Sequence, residues 1–359
     1  MKTLRIVGLA LLAAIFLFPA TAQAPKKANV FLLISGSLGD KGFNDSARAS
    51  LELIRQKYGA NVTVKYTELG TDVAKFAPSL EDAGAEGYDV VFCSNNFNSA
   101  VQEVAPRYPK TLYVMYDGWI NDDISNVYSI QYKNSEAGYL AGALAGLLTK
   151  YTTDPKINAS NVIGFVGGRD ITGINDFFVG YISGAQKLNS SVKIIYNYVN
   201  SFTDTAKAKD QALIQYKSYN ADIVYHAAGR AGLGVFDAAV ETGKYAIGVD
   251  TDQASLFGNE PKKADLILTS TMKRVDLTLY QAFEKFMNGE KLGGKKVYVG
   301  ATEGVIAYAP FNKAVPASVR TELEKLQADI KAGKVTIPSA FSMTADEINK
   351  LRDSVNAAK

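Results

Sequence analysis

The sequence predicts an α/β fold of two doubly wound lobes with a ligand cleft between them. Three observations carry that expectation. Short runs that are apolar on both faces recur along the chain, separated by stretches with helical spacing, which is the pattern of a parallel sheet covered on both sides. The alternation comes as two similar series, one before and one after Asn134. The segments just beyond the strand ends collect Gly, Asp, Asn, aromatic and Lys residues, and open α/β sheets bind ligands there.

In the first series, residues 29–35 (NVFLLIS) form a continuous apolar run of strand length. Ala47, Leu51 and Ile54 then give residues 45–57 the spacing of a helix. Residues 61–68 are β-branched and read as a strand, 76–85 as a helix, 89–93 (DVVFC) as a buried strand, 99–107 as a helix and 112–116 (LYVMY) as a strand. A helix rich in Ala, Gly and Leu, residues 134–151, opens the second series. There, 162–166, 192–199, 222–228, 245–249 and 266–270 read as strands, with helices over 177–188, 205–218 and 235–242. Residues 28–131 with about 272–300 are expected to form one lobe, and 132–271 with about 301–359 the other, with crossings near 131–134, 271–274 and 298–301.

Composition narrows the function. At 359 residues with 47% hydrophobic and 21% charged content, the chain suits two globular domains with their own cores. A single cysteine, Cys93, excludes an internal disulfide and a Cys₄ zinc site, and a single histidine, His226, argues against a multi-His metal centre or relay. Both lie in apolar strands and read as core residues. A formal charge of +3 from 39 basic and 36 acidic residues gives no footprint for nucleic acid. Gly243-Lys244 is followed by Tyr245, so the chain has no P-loop. No cofactor, metal or catalytic residue is expected.

The first 24 residues read as an export signal. Lys2 and Arg5 precede an apolar run over residues 6–18, Pro19 breaks it, and Ala22-Gln23-Ala24 supplies the small-x-small cleavage pattern. The run is too short for a membrane span, and Cys93 is too distant to carry an acyl group. A cleaved, unanchored periplasmic protein is expected.

Beyond the strand ends lie Gly36 to Asp45, Ser94 to Asn98, Asp117-Gly118-Trp119, Gly167 to Asp170 with Phe177 and Phe178, Gly229 to Gly234, Asp250 to Gln253, and Thr271-Met272-Lys273. Asn44 or Asp45 is placed to cap the first helix, and Phe43 has no obvious core to join. Aromatics suit a flat π-system, and Asp carboxylates accept hydrogen bonds from vicinal hydroxyls, as at ribose in dinucleotide sites. A flat base joined to a sugar would use every part.

Four motifs then carry a family resemblance: GDKGFND (residues 39–45), FVGGRDI (165–171), IGVDTDQ (247–253) and LTSTMKRVD (268–276). In that order they resemble the BMP family of ABC-transporter substrate-binding proteins, of the PnrA-like purine nucleoside receptor type. The resemblance implies a type I periplasmic binding protein, not an enzyme, that holds a nucleoside between its lobes and serves an ABC permease in the inner membrane as a monomer. Residue by residue, it places Phe43 and Phe177 at base-stacking positions and Asp40, Asn44 and Asp117 in ligand loops. It gives Asp250 and Lys273 to the sugar and sets Gly229 and Gly232 in a Gly-rich loop beside the ligand. One loop departs from the family's AAGGTGNG: here it reads AAGRAGLG (227–234), with Arg230 in place of a glycine. Two alternatives stay open: a receptor of the same fold for a sugar or other small solute, and a secreted nucleoside hydrolase. The latter needs clustered carboxylates on a metal, and the first strand loop has no dense Asp cluster.

Overall fold

The computed structural model of the chain describes residues 27–358. The expected export signal therefore lies outside the described residues. The chain opens with β1 (Ala28–Ser35), α1 (Phe43–Tyr58), β2 (Val62–Gly70), α2 (Phe76–Ala85), β3 (Val90–Ser94), α3 (Asn98–Val104), β4 (Leu112–Tyr116) and β5 (Val127–Tyr132). Next come α4 (Asn134–Leu148), β6 (Val162–Gly167), α5 (Thr172–Leu188), β7 (Lys193–Tyr198), α6 (Thr205–Ser218), β8 (Ile223–Ala227), α7 (Leu233–Thr242) and β9 (Tyr245–Asp250). The remainder is α8 (Pro261–Ala264), β10 (Ile267–Lys273), α9 (Val275–Met287), β11 (Lys296–Val299), β12 (Ile306–Tyr308), α10 (Ala317–Lys331) and α11 (Ala345–Val355).

These strands build two six-stranded sheets, ordered β11-β5-β4-β3-β1-β2 and β12-β10-β9-β8-β6-β7. Every pairing is parallel except β12 on β10. β3, β5, β6, β8 and β9 are buried along their whole length, as strands covered by helices on both faces must be. The chain passes between the sheets after β5, after β10 and between β11 and β12.

The helix α4 is buried at every position and lies along α5. Its Ala/Gly/Leu composition is what allows this, because glycines on both helices let the backbones meet. A Cβ at Gly142 would stand 2.0 Å from the Tyr181 carbonyl oxygen, and one at Gly184 would stand 2.0 Å from that of Tyr139.

The structure corrects two helix starts. α1 begins at Phe43, and neither Asn44 nor Asp45 caps it. The Asp40 carboxylate does so, accepting the backbone N–H groups of Gly42, Asn44 and Asp45 at 3.0, 2.8 and 3.1 Å. Asp45 instead braces the loop from within the helix, accepting the Gly39 and Lys41 amides at 2.8 Å each. α5 begins at Thr172, which places Phe177 in its second turn, 3% exposed, within the core of the second sheet.

Candidate functional site

The carboxyl ends of the two sheets face each other across a cavity of about 260 Å³. Eight of the nine residues singled out from the sequence line it: Asp40, Phe43, Asn44, Asp117, Phe177, Gly229, Asp250 and Lys273. The ninth, Gly232, does not. It packs against the His226 imidazole, where a Cβ would fall 2.0 Å from Nδ1.

Lys273 is the centre of the arrangement. It ends β10, is 3% exposed, and donates from Nζ to Asp117 Oδ1 at 3.2 Å. The same ammonium is 3.9 Å from Asp250 Oδ1 and 4.8, 5.2 and 5.3 Å from the ring centres of Phe43, Phe177 and Tyr132. Asp117 follows β4 of one sheet and Asp250 ends β9 of the other, and both have left-handed backbone, with φ of +63° and +68°. Non-glycine residues are uncommon there, and such strain gathers at ligand clamps.

The two strand-end aspartates differ in what they have left to offer. Asp117 is committed to Lys273 through Oδ1. Asp250 is 5% exposed, and its Oδ1 is buried with no hydrogen-bond partner among the described residues. Burial raises its carboxyl to about 6; Lys273 opposes the rise, while Asp40 and Asp117 add to it. Asp40 is also pushed up by burial, but its oxygens are already engaged by the backbone of the α1 turn. It shapes the loop rather than presenting a free acceptor. Asn44 donates from Nδ2 to the Ser37 carbonyl at 3.3 Å and packs under Gly36, whose φ of +133° suits only glycine.

Phe43 is half-buried and tilted against Tyr116, with ring centres 5.3 Å apart. The sequence reading missed a further aromatic at the cavity, Phe202, in the loop after β7. Its ring lies over Gly168, where a Cβ would stand 2.3 Å from it. The signal was present: residues 199–204 (VNSFTD) follow a strand just as the other ligand loops do. Among the described residues, no group of three or more His, Cys, Asp or Glu side chains is arranged to hold a metal ion, and no helix is long and apolar enough to cross a membrane.

Residues 27–340 match the family model described as Bmp, ABC transporter substrate-binding protein PnrA-like. The chain belongs to this family. Bmp proteins are the binding components of ABC transporters, not enzymes, so a small-molecule ligand and a membrane permease go with membership. The chain is 30% identical over 318 residues to the ABC transporter nucleoside-binding protein BmpA of Lactococcus lactis subsp. cremoris, covering 85% of this chain and 87% of that one. It is also 30% identical over 321 residues to the CD4+ T-cell-stimulating antigen of Listeria monocytogenes, covering 85% and 86%. Basic membrane protein A of Borreliella burgdorferi is 29% identical over 324 residues, covering 89% of each chain.

Solved structures agree on the fold. An ABC transporter solute-binding protein from Aeropyrum pernix K1 superposes with a TM-score of 0.76 at 22% identity, covering 91% of this chain and 98% of that one. A 5-methylthioribose transporter solute-binding protein from Thermotoga lettingae gives 0.59 at 13% identity, covering 92% and 98%. The Bmp chain thus has the type I solute-binding architecture that the four motifs implied.

Proposed function

We propose that this Bmp protein captures a nucleoside, with a purine base among Phe43, Phe177 and Phe202 and the ribose at Asp250 and Lys273. The observation that carries the reading is Asp250 Oδ1, buried beside the Lys273 ammonium at 3.9 Å but with no hydrogen bond among the described residues. A buried acceptor with no donor costs folding free energy, so it is built to receive one from a ligand, and a ribose hydroxyl is such a donor. Lys273, bounded by the Phe43 and Phe177 rings, sets a fixed charge between that acceptor and an aromatic enclosure. The name of the Lactococcus relative, a nucleoside-binding protein, supports the same choice.

In this reading the lobes, residues 28–131 with 272–300 and 132–271 with 301–359, close by hinge motion at the three crossings. The mature chain, cleaved after Ala24, works as a monomer in the periplasm and delivers its ligand to a permease. The test is direct: purify the protein natively, denature it, and record the ultraviolet spectrum and mass of what is released. A purine nucleoside is expected. A sugar, with no ultraviolet absorbance, would replace this reading with a receptor for another solute.

A further inference from the structure

The two ends of the cavity differ in charge, and the strand order of the second sheet shows why. Moving from β10 through β9, β8 and β6 to β7, the strand ends present Lys273, Asp250, Arg230, Arg169 and Phe202 in turn. The carboxylates lining the cavity are Asp40, Asp117 and Asp250. Lys273, Asp40 and Asp117 are the charged groups that act on the Asp250 carboxyl. Asp117 and Asp250 cluster with Lys273, at 3.2 and 3.9 Å from its ammonium, while Arg230 and Arg169 follow β8 and β6, farther along the sheet.

Arg169 and Arg230 are exposed at the cavity, and neither guanidinium has a carboxylate or hydrogen-bond partner among the described residues. Arg169 lies over the Phe202 ring at 5.6 Å, and the Phe202 carbonyl accepts the Ala231 amide at 2.9 Å. The aromatic and the two arginines are thereby one local unit, made where β6, β7 and β8 end. From the loops of the first sheet, the cavity lining besides Asp40 and Asp117 is uncharged, among it Ser37, Thr71, Asn95 and Asn96. Two donor forks thus face the ligand space with no carboxylate or hydrogen-bond partner among the described residues.

We propose that Arg169 and Arg230 read the edge of the base and select 6-oxopurine nucleosides over 6-aminopurine ones. This rests on the nucleoside reading, with ribose at the Lys273 end and the base pointing toward Phe202. A guanidinium carries five donors and no acceptor. The O6 and N7 acceptors of guanine or hypoxanthine match its fork, whereas adenine presents a donor amine in place of O6.

The experiment uses the full protein, freed of bound ligand by unfolding and refolding, and titration calorimetry with guanosine, inosine and adenosine. Guanosine and inosine are expected to bind about tenfold tighter than adenosine. Arg169→Ala and Arg230→Ala should each shrink that ratio by weakening the oxopurines, and the double variant should bring it close to one. The unliganded melting temperatures should stay put, since both side chains are exposed. Equal binding of all three nucleosides overturns this inference and leaves the nucleoside reading standing. A ratio unchanged in the double variant also overturns it. Failure of all three to bind overturns both.

Discussion

The backbone carbonyl of Lys41 accepts the Thr251 hydroxyl at 2.7 Å, joining the first ligand loop to the loop after β9 across the cleft. The same carbonyl accepts Gln253 Nε2 at 3.0 Å, and Lys41 Nζ donates to the Leu256 carbonyl at 2.9 Å and lies 5.1 Å from the Phe257 ring. One residue of the first lobe, held at φ +50°, therefore clasps the second lobe through both its backbone and its side chain. Gln253 is itself fixed from behind, because its Oε1 accepts the Val249 amide at 2.9 Å and meets His226 Nε2 at 3.1 Å. Burial lowers His226 to about 4, so the ring is neutral at physiological pH and serves this brace as an uncharged partner.

Thr251→Val should weaken the clasp while keeping the side-chain shape. A hydrogen bond of this kind contributes roughly 0.5–1.5 kcal/mol, so ligand affinity should fall about two- to tenfold. Small-angle scattering of the unliganded variant should show a more open ensemble than wild type. Unchanged affinity together with unchanged compactness would show that the Thr251–Lys41 contact is incidental.

Asp250→Ala should cost far more affinity than Asp252→Ala. Asp250 is buried at the cavity with an oxygen that has no hydrogen bond among the described residues, whereas the Asp252 carboxylate accepts the Ser255 amide at 3.4 Å within its own turn. Loss of a hydrogen bond to a charged group costs roughly 1.5–3 kcal/mol, or about ten- to a hundredfold in affinity. Comparable losses at both positions, read by calorimetry, would remove Asp250 from the ligand.

Binding should weaken as pH falls through about 6, where Asp250 takes up a proton and ceases to be a pure acceptor. Asp250→Asn should flatten that profile. The unliganded protein should behave in the opposite sense. Asp250 and Asp176 are both raised to about 6 from 3.8, so the folded state holds more protons between those values. The stability these two groups contribute is fully present below that window and is lost as pH rises through it. Thermal melts of wild type and Asp250→Asn across pH 4–7 measure this: the wild-type melting temperature should fall relative to the variant's as pH rises, and a relative rise would contradict it.

Phe43→Ala and Phe202→Ala should lower affinity with little change in the unliganded melt, since both rings are only half-buried. Stacking is worth roughly 1–3 kcal/mol per base. Phe177→Ala should differ: its ring is 3% exposed in the second-lobe core, and emptying such a site costs about 3–5 kcal/mol of stability. A normal melt for Phe177→Ala would show that the ring serves the ligand alone.

Gly142→Ala should destabilise the second lobe, against the helix propensity that favours alanine by about 1 kcal/mol. The new Cβ would meet the Tyr181 backbone carbonyl at 2.0 Å, and a backbone cannot rotate aside as a side chain can. Forced separation of α4 and α5 should cost about 1–3 kcal/mol, seen as a lower denaturant midpoint.

The sequence by itself determined the alternation of strands and helices, because burial on both faces leaves an apolar run that is read locally. The strand β4 and the helices α2 and α6 have the bounds that periodicity assigns them. It also determined which loops could hold a ligand, since any residue just past a parallel strand reaches the same edge of the sheet. Strand β5 (VYSIQY) escaped because buried Ser129 and Gln131 break its apolar pattern, and β11 and β12 have only four and three residues. The helices α10 and α11 were legible but unread: Val319, Leu323 and Ile330 recur at helical spacing.

Tertiary structure decided the rest, because contacts between distant strand ends depend on sheet order and on where the chain crosses between lobes. Only the fold could pair Lys273 with Asp117, 156 residues away, or leave Asp250 Oδ1 without a donor. Only the fold could turn Asp40 inward to cap α1, send Gly232 against His226, bury Phe177 on its helix and bring Phe202 to the cavity. Side-chain direction at a strand end follows from the backbone angle and from packing across two lobes, and neither is encoded in local spacing.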